Sequence, residues 1–107
     1  MIKNLTPHPI NIIGKYGELT TIEPELTPAR LSESKTVIIG YSDNIPITST
    51  EFGEVENLPK EVKGTLLIVS QMVKGALPFR RDLVIPKQVI RDDNNNIIGC
   101  TSLSISK

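Results

Sequence analysis

Ser70, Gln71, Arg80 and Arg81 are the residues of this chain whose types and spacing best suit the binding of an anion, and His8, Thr6, Asn4 and Arg91 could join them. The first four lie in Gly64 to Asp82, GTLLIVSQMVKGALPFRRD. Within it, Leu66-Leu67-Ile68-Val69 is too short for a lone helix and reads as a strand buried on both faces. At Ser70 the period changes. Met72, Val73, Ala76 and Leu77 share one helical face, Ser70 can accept from the first free N–H groups, and Pro78 ends the element after about two turns. A strand that runs straight into a helix N-terminus presents unpaired donors and a partial positive charge, which suit phosphate or carboxylate. Arg80 and Arg81 follow the other end of that helix. Arginine offers a planar fork matched to such groups, and the chain has only four arginines, Arg30 and Arg91 being the others, against eight lysines. The plainer reading is a capped helix followed by a solvated basic turn.

Other constellations are weaker. His8 could bind a ligand or act as acid or base near neutral pH, although a hydrogen-bonded structural histidine is the commoner case. Ser70, His8 and Asp82 can be written as a triad, but Ser70 lacks the G-x-S-x-G elbow, so no residue is assigned to catalysis. Asp92-Asp93-Asn94-Asn95-Asn96 imitates the opening of a calcium loop. The imitation fails at Ile97, where glycine is needed, and at Leu103, where a bidentate glutamate is needed. Cys100, after a glycine in an apolar run, reads as a small core residue. One cysteine and one histidine cannot form an ordinary N/S zinc site, and neither phosphate-binding glycine motif is present, so no metal or cofactor is expected.

The 107 residues suit a single domain, and equal numbers of basic and acidic residues, 12 each, leave no field to hold a nucleic-acid polymer or a membrane surface. A lone cysteine fits a reducing compartment, and the prolines of MIKNLTPHPINII interrupt any leader-like apolar segment. A cytoplasmic location is the expectation.

The elements that must position these residues are mostly strands. Asn4 to Ile13 reads as one extended segment, since Thr6 and His8 precede proline, and alternation would turn Asn4, Thr6 and His8 to one inward face. Pro7 and Pro9 lack donors on the same side, which marks an edge. Gly14 to Gly17 reads as a turn that returns the chain antiparallel through Leu19 to Ile22. Lys35 to Tyr41 is β-branched and strand-like, Ser42-Asp43-Asn44 is turn chemistry, and Ile45 to Thr50 alternates weakly, with Pro46 demoting it to an edge. Glu51 to Lys63, acidic and poor in apolar residues, reads as a surface loop. Asp82 to Pro86 with Gln88 to Arg91 forms an interrupted strand, which Asp92 to Asn96 joins as a hairpin to Ile97–Ile105. The sum is an α+β domain: a small, β-rich curved sheet or barrel with one short helix across it.

Asn4-Leu5-Thr6-Pro7-His8, the segment Phe52 to Pro59, Gly64 to Ser70, Ala76 to Pro86 and Val89 to Leu103 follow the blocks of a family of short phage and prophage-encoded proteins. Those proteins begin N-L-T-P-H and continue with G-T-x-x-I-V-S, A-L-P-x-R-x-D-L-V-x-P and a V-R-D turn before I-G-C-x-x-L. The chain resembles them outside Gly14 to Thr50, with Ile90 inserted between Val89 and Arg91. The resemblance implies a phage origin and a non-virion role inside the infected cell. With the polar residues above, the expected function is sequestration of an anionic, nucleotide-derived small molecule, as an anti-defence sponge, by a symmetric homo-oligomer, most simply a dimer. The alternative is a protein-interaction or inhibitor module that uses the Pro7/Pro9 edge and the acidic loop against a host or phage protein.

Overall fold

The aliphatic run from Leu66 lies at the centre of the protein, where four consecutive apolar residues can be covered on both sides. The structure, a computed structural model, describes residues 1–32 and 34–105. Strand β8 (Leu66–Ile68) lies between β1 (Ile2–Asn4) and β9 (Leu83–Arg91) and is parallel to both. Leu67 and Val69 face a buried cluster with Leu5, Ala29, Val73, Leu83 and Ile85. Ile68 turns the other way, flanked in register by Asn4 and Val84, and all three are buried. The parallel pairing of β8 and β9 requires a crossover, which α1 (Gln71–Ala76) supplies.

Ser70 caps α1 as its position predicts, its hydroxyl accepting from the Val73 amide at 3.2 Å. Val73 anchors the helix in the cluster. Replacement of one cap hydroxyl costs about 1 kcal/mol in comparable helices, so Ser70→Ala should lower the urea midpoint modestly without altering the fold. An unchanged midpoint would mean that water satisfies the Val73 amide equally well.

The sheet continues from β9 to its antiparallel neighbour β10 (Ile97–Ser104), then to β2 (Ile10–Ile13), parallel to β10, and finally to the antiparallel β3 (Leu19–Ile22). The two edges then approach each other. Pro24, just past β3, bridges Asn4 of β1, and the Glu25 amide donates to the Asn4 carbonyl at 2.8 Å. The six strands thus curl into a nearly closed, barrel-like sheet, in agreement with the expected β-rich domain with one short helix.

The turns are those that the residue types require. Gly17 and Asn95 adopt left-handed backbone conformations at the β2–β3 and β9–β10 turns. The Asp92 carboxylate accepts from the Asn94 and Asn96 amides, each at 2.9 Å, so its oxygen serves the turn. The expected interruption of β9 is a left-handed Gln88 inside a continuous strand, with its side-chain oxygen accepting from the Thr101 hydroxyl at 2.7 Å.

Two expectations need correction. Asn4 to Ile13 is not one extended segment: β1 ends at Asn4, the chain bends through residues 6–8, and β2 starts at Ile10. The bend arises because Asn4 captures the Thr6 amide with its side chain, a local bond that competes with strand continuation. Glu51 to Lys63 is likewise not wholly a loop. Val55–Glu56 forms β7, pairing with β4 (Arg30–Leu31), and Val55 and Leu58 pack against the main cluster.

The remaining strands, β5 (Ser34–Ser42) and β6 (Ile45–Phe52), pair only with each other among the described residues. Asp43 and Asn44, with φ of 50° and 66°, make the two-residue turn whose twist suits a hairpin. The result is an arm of eight residue pairs that belongs to neither the barrel nor the β4–β7 ribbon.

Candidate functional site

The residues expected to hold an anion are distributed by the fold into separate structural tasks. Asn4 is fully buried, and its amide joins three segments: Nδ2 donates to the carbonyls of His8 (2.8 Å) and Ile22 (2.9 Å), while Oδ1 accepts from the Thr6 amide (2.9 Å) and hydroxyl (2.6 Å). Asn4 therefore stitches the seam between β1 and the end of β3. The His8 carbonyl, 3.0 Å from the Thr6 hydroxyl, is a second acceptor that shares its single proton with Asn4 Oδ1. His8 itself is exposed, against the expectation of an inward imidazole, because the bend at residues 6–8 breaks the strand parity on which that expectation rests.

Arg80 is engaged within the protein. Its Nε donates to Asp82 Oδ1 at 2.9 Å, Nη2 donates to Oδ2, and Nη2 also donates to the Pro59 carbonyl at 3.0 Å. Asp82 is almost wholly buried, and the hydrogen bonds from Arg80 hold its carboxyl below the usual carboxylate range, against the opposing effect of burial. Lys74, also buried, adds its charge nearby and donates from Nζ to the Arg80 carbonyl at 3.1 Å. The cluster ties α1 to the strand entry at Asp82 and to the loop at Pro59.

Arg91 lies at the far end of β9, roughly 26 Å from Leu83 by strand rise, and its Nη1 donates to the Asn95 carbonyl at 3.0 Å across the hairpin tip. Ser70, Gln71 and Arg81 are exposed at the helix and its exit. Arg91 thus cannot meet Arg80 and Arg81 within one protomer, so the residues expected to bind one anion are not all gathered there. Scarcity of arginine was the sequence signal, but three of the four guanidinium groups serve carboxylates or carbonyls of the protein itself: Arg30 pairs with Glu56 at 3.3 Å, Arg80 with Asp82 and the Pro59 carbonyl, and Arg91 with the Asn95 carbonyl. Burial pushes the Cys100 thiol up from its ordinary value, consistent with a core residue.

A different surface carries unexplained cost. Along the arm, Ile38, Ile39, Tyr41, Ile45 and Ile47 are all exposed, Ile39 and Tyr41 at 66% and 68%. Pairing places Ile38 opposite Thr48 and Tyr41 opposite Pro46, while Gly40 faces Ile47 and Ser42 faces Ile45. Residues paired across a ribbon share a face, so Ile38 and Tyr41 occupy one side and Ile45 and Ile47 the other. Each side thus exposes two large apolar residues among uncharged serines and threonines. No side chain from Thr36 to Ser42 or from Ile45 to Thr50 is an acid or a base, and the pair Lys35–Glu51, at 3.7 Å, marks the root of the arm. The sequence contained this signal in two β-branched runs of similar length about an Asp-Asn turn, the second alternating only weakly and neither carrying a charge until Lys35 and Glu51.

A hollow of about 250 Å³ opens between β2, β9 and β10, lined by Pro9, Ile10, Val89, Ile97 and Ile98 among others, with buried Cys100 in its wall. None of its lining residues is charged. Its volume is below the range of about 300–1,000 Å³ usual for small-molecule pockets. A second hollow, of about 110 Å³ and lined in part by Lys3, Lys60 and Asp82, is smaller still. A third, open depression of about 500 Å³ joins Glu54 and Arg80 to Val55, Leu58 and Leu77; its one cation is the guanidinium already bonded to Asp82. No family model, curated protein or solved structure matches this chain.

Proposed function

We propose that this protein is a protein-interaction module and that the β5–β6 arm is its docking element. The observation that carries this reading is the arm itself: a two-stranded ribbon that exposes large apolar residues on both faces and, among the described residues, pairs with no other strand. An isolated hairpin is marginal in water, and exposed apolar edge strands invite pairing with another chain. Five large apolar residues on a projecting ribbon gain their burial from a partner. The resemblance to phage proteins would put that partner in an infected cell.

Sequestration of an anionic, nucleotide-derived molecule is the competing proposal. It rests on Ser70, Gln71 and Arg81, which are exposed, and loses Arg80 to Asp82. A photoreactive residue at Ile39 should give protein adducts in the cell, whereas the same group at Val62, exposed outside the arm, should give few. Equal labelling at both positions would remove the arm from this role. A nucleotide that raises the melting temperature of the wild type, but not of Arg81→Ala, would favour the competing proposal.

A further inference from the structure

We infer that the depression between β7 and α1 binds the free C-terminal end of an extended chain whose last residue is aliphatic. The inference does not depend on the arm. Three kinds of group share the lining: a guanidinium with unused donors, a strand edge with unpaired backbone, and aliphatic side chains. The depression holds about 500 Å³, within the range of about 300–1,000 Å³ usual for ligand sites, and is lined by Val55, Leu58, Ala76 and Leu77 together with Glu54 and Arg80.

Arg80 supplies the contact for a carboxylate. A guanidinium has five N–H donors. Nε and one hydrogen of Nη2 serve Asp82, and the other hydrogen of Nη2 serves the Pro59 carbonyl, which leaves both hydrogens of Nη1 without an acceptor among the described residues. Asp82 fixes the plane of the group, and the Arg80 side chain is only 23% exposed, so a charge-assisted bond to Nη1 forms away from bulk water. Buried Lys74 stands beside the pair, so two cations meet one carboxylate. Two exposed acids limit the charge the site accepts: Glu54 in the lining, and Glu61, which acts on Arg80 from outside it. They favour a monoanion over a phosphate dianion.

Strand β7 supplies the main-chain contacts. The Ser32 amide donates to the Glu54 carbonyl at 2.7 Å, and Arg30 is the register partner of Glu56, so the intervening Val55 turns its own N–H and C=O away from β4. No described residue bonds either group. An extended chain laid along that edge pairs with Val55, packs its last side chain against Leu58 and Leu77, and brings its carboxylate to Nη1. Strand addition and capture of a chain terminus are both known modes of peptide recognition. A small free acid would use the guanidinium and the apolar wall but leave the Val55 edge unpaired, which is why the chain end is favoured.

The test is a titration of the full chain with an acetylated tripeptide ending in leucine, followed by methyl NMR. The methyl signals of Val55, Leu58 and Leu77 should shift, with a Kd of about 1 mM or tighter. The same peptide with a C-terminal amide, and the same peptide ending in serine, should each bind at least about ten-fold more weakly. Ala76→Phe fills the depression without removing a bond of Arg80 and should weaken binding by a similar factor, with circular dichroism and melting temperature showing that the fold is intact. If that variant unfolds, the methyl map of the wild type and the comparison with the amide decide alone. Absence of shifts at about 10 mM peptide, shifts confined to other methyl groups, or equal binding of the amide overturns the inference. Equally tight binding of 4-methylpentanoate, which has the head and tail but no amide, overturns the chain end in favour of a free acid, and equally tight binding of inorganic phosphate reduces the site to a plain anion contact.

Discussion

Asn4→Ala should destabilise the protein by about 3–5 kcal/mol, a large part of the roughly 5–15 kcal/mol that holds a domain of this size folded. The side chain is fully buried and makes four hydrogen bonds, to the backbone of Thr6, His8 and Ile22 and to the Thr6 hydroxyl. Truncation leaves the Thr6 amide and the Ile22 carbonyl without these partners, and each such orphan costs about 1–3 kcal/mol when water cannot replace the bond. The effect exceeds that of an ordinary cavity because the seam lies here: Pro24 and Glu25 meet β1 through the Asn4 backbone. Asn4→Asp is the sharper variant. It keeps the shape but turns a donor of two bonds into an acceptor that faces the His8 and Ile22 carbonyls. Burial and those carbonyls raise the carboxyl's folded-state pKa, so the variant should be least stable at neutral pH and partly recover as pH falls and the group takes a proton. Chemical denaturation at pH 7 and pH 4.5 measures both effects. Equal stability of Asn4→Asp and wild type at pH 7 would show that the seam does not depend on this amide.

Asp82→Asn should cost about 2–4 kcal/mol, because it leaves the partly buried Arg80 guanidinium and the buried Lys74 ammonium without their carboxylate. The wild-type pair also predicts the acid limb of stability. The Asp82 carboxyl is held below its usual range, chiefly by the hydrogen bonds from Arg80, so its contribution is present above the unfolded-state value of about 4. It is lost as pH falls through the lower folded-state value, when the folded protein takes up the proton that the unfolded chain already holds. Arg80→Met should remove most of this pH dependence along with the stability. Urea midpoints between pH 7 and pH 2.5 for the wild type and both variants provide the check. If Asp82→Asn retains the wild-type acid limb, another carboxylate is responsible for it.

Both predictions concern residues that sequence reasoning associated with a ligand, and the reason is instructive. A buried polar side chain needs partners, and the sequence shows the polar side chain without showing who satisfies it. Asn4, Thr6 and Arg80 have the composition of a binding site; their partners are the His8, Ile22 and Pro59 carbonyls and Asp82, contributed in part from distant positions in the chain. Backbone carbonyls are present at every residue and carry no sequence signature.

By itself the sequence determined the local structure. The Leu66 run as a buried strand, Ser70 as a cap, the Gly14–Gly17 turn, the Asp92–Asn96 hairpin and the turn after Ser42 all follow from side-chain volume, φ preference and the change of period, which act within a few residues. Only the tertiary structure decided which strands are neighbours. The parallel insertion of β8 between β1 and β9, the parallel contact of β10 with β2 and the seam at Asn4 join residues tens of positions apart, and their register depends on complementary burial across the whole sheet. The exposure of the arm was decided at the same level. Val37-Ile38-Ile39 and Leu66-Leu67-Ile68 are equally apolar as sequence, but β8 has a neighbour on each side and a cluster above it, while β5 has only β6.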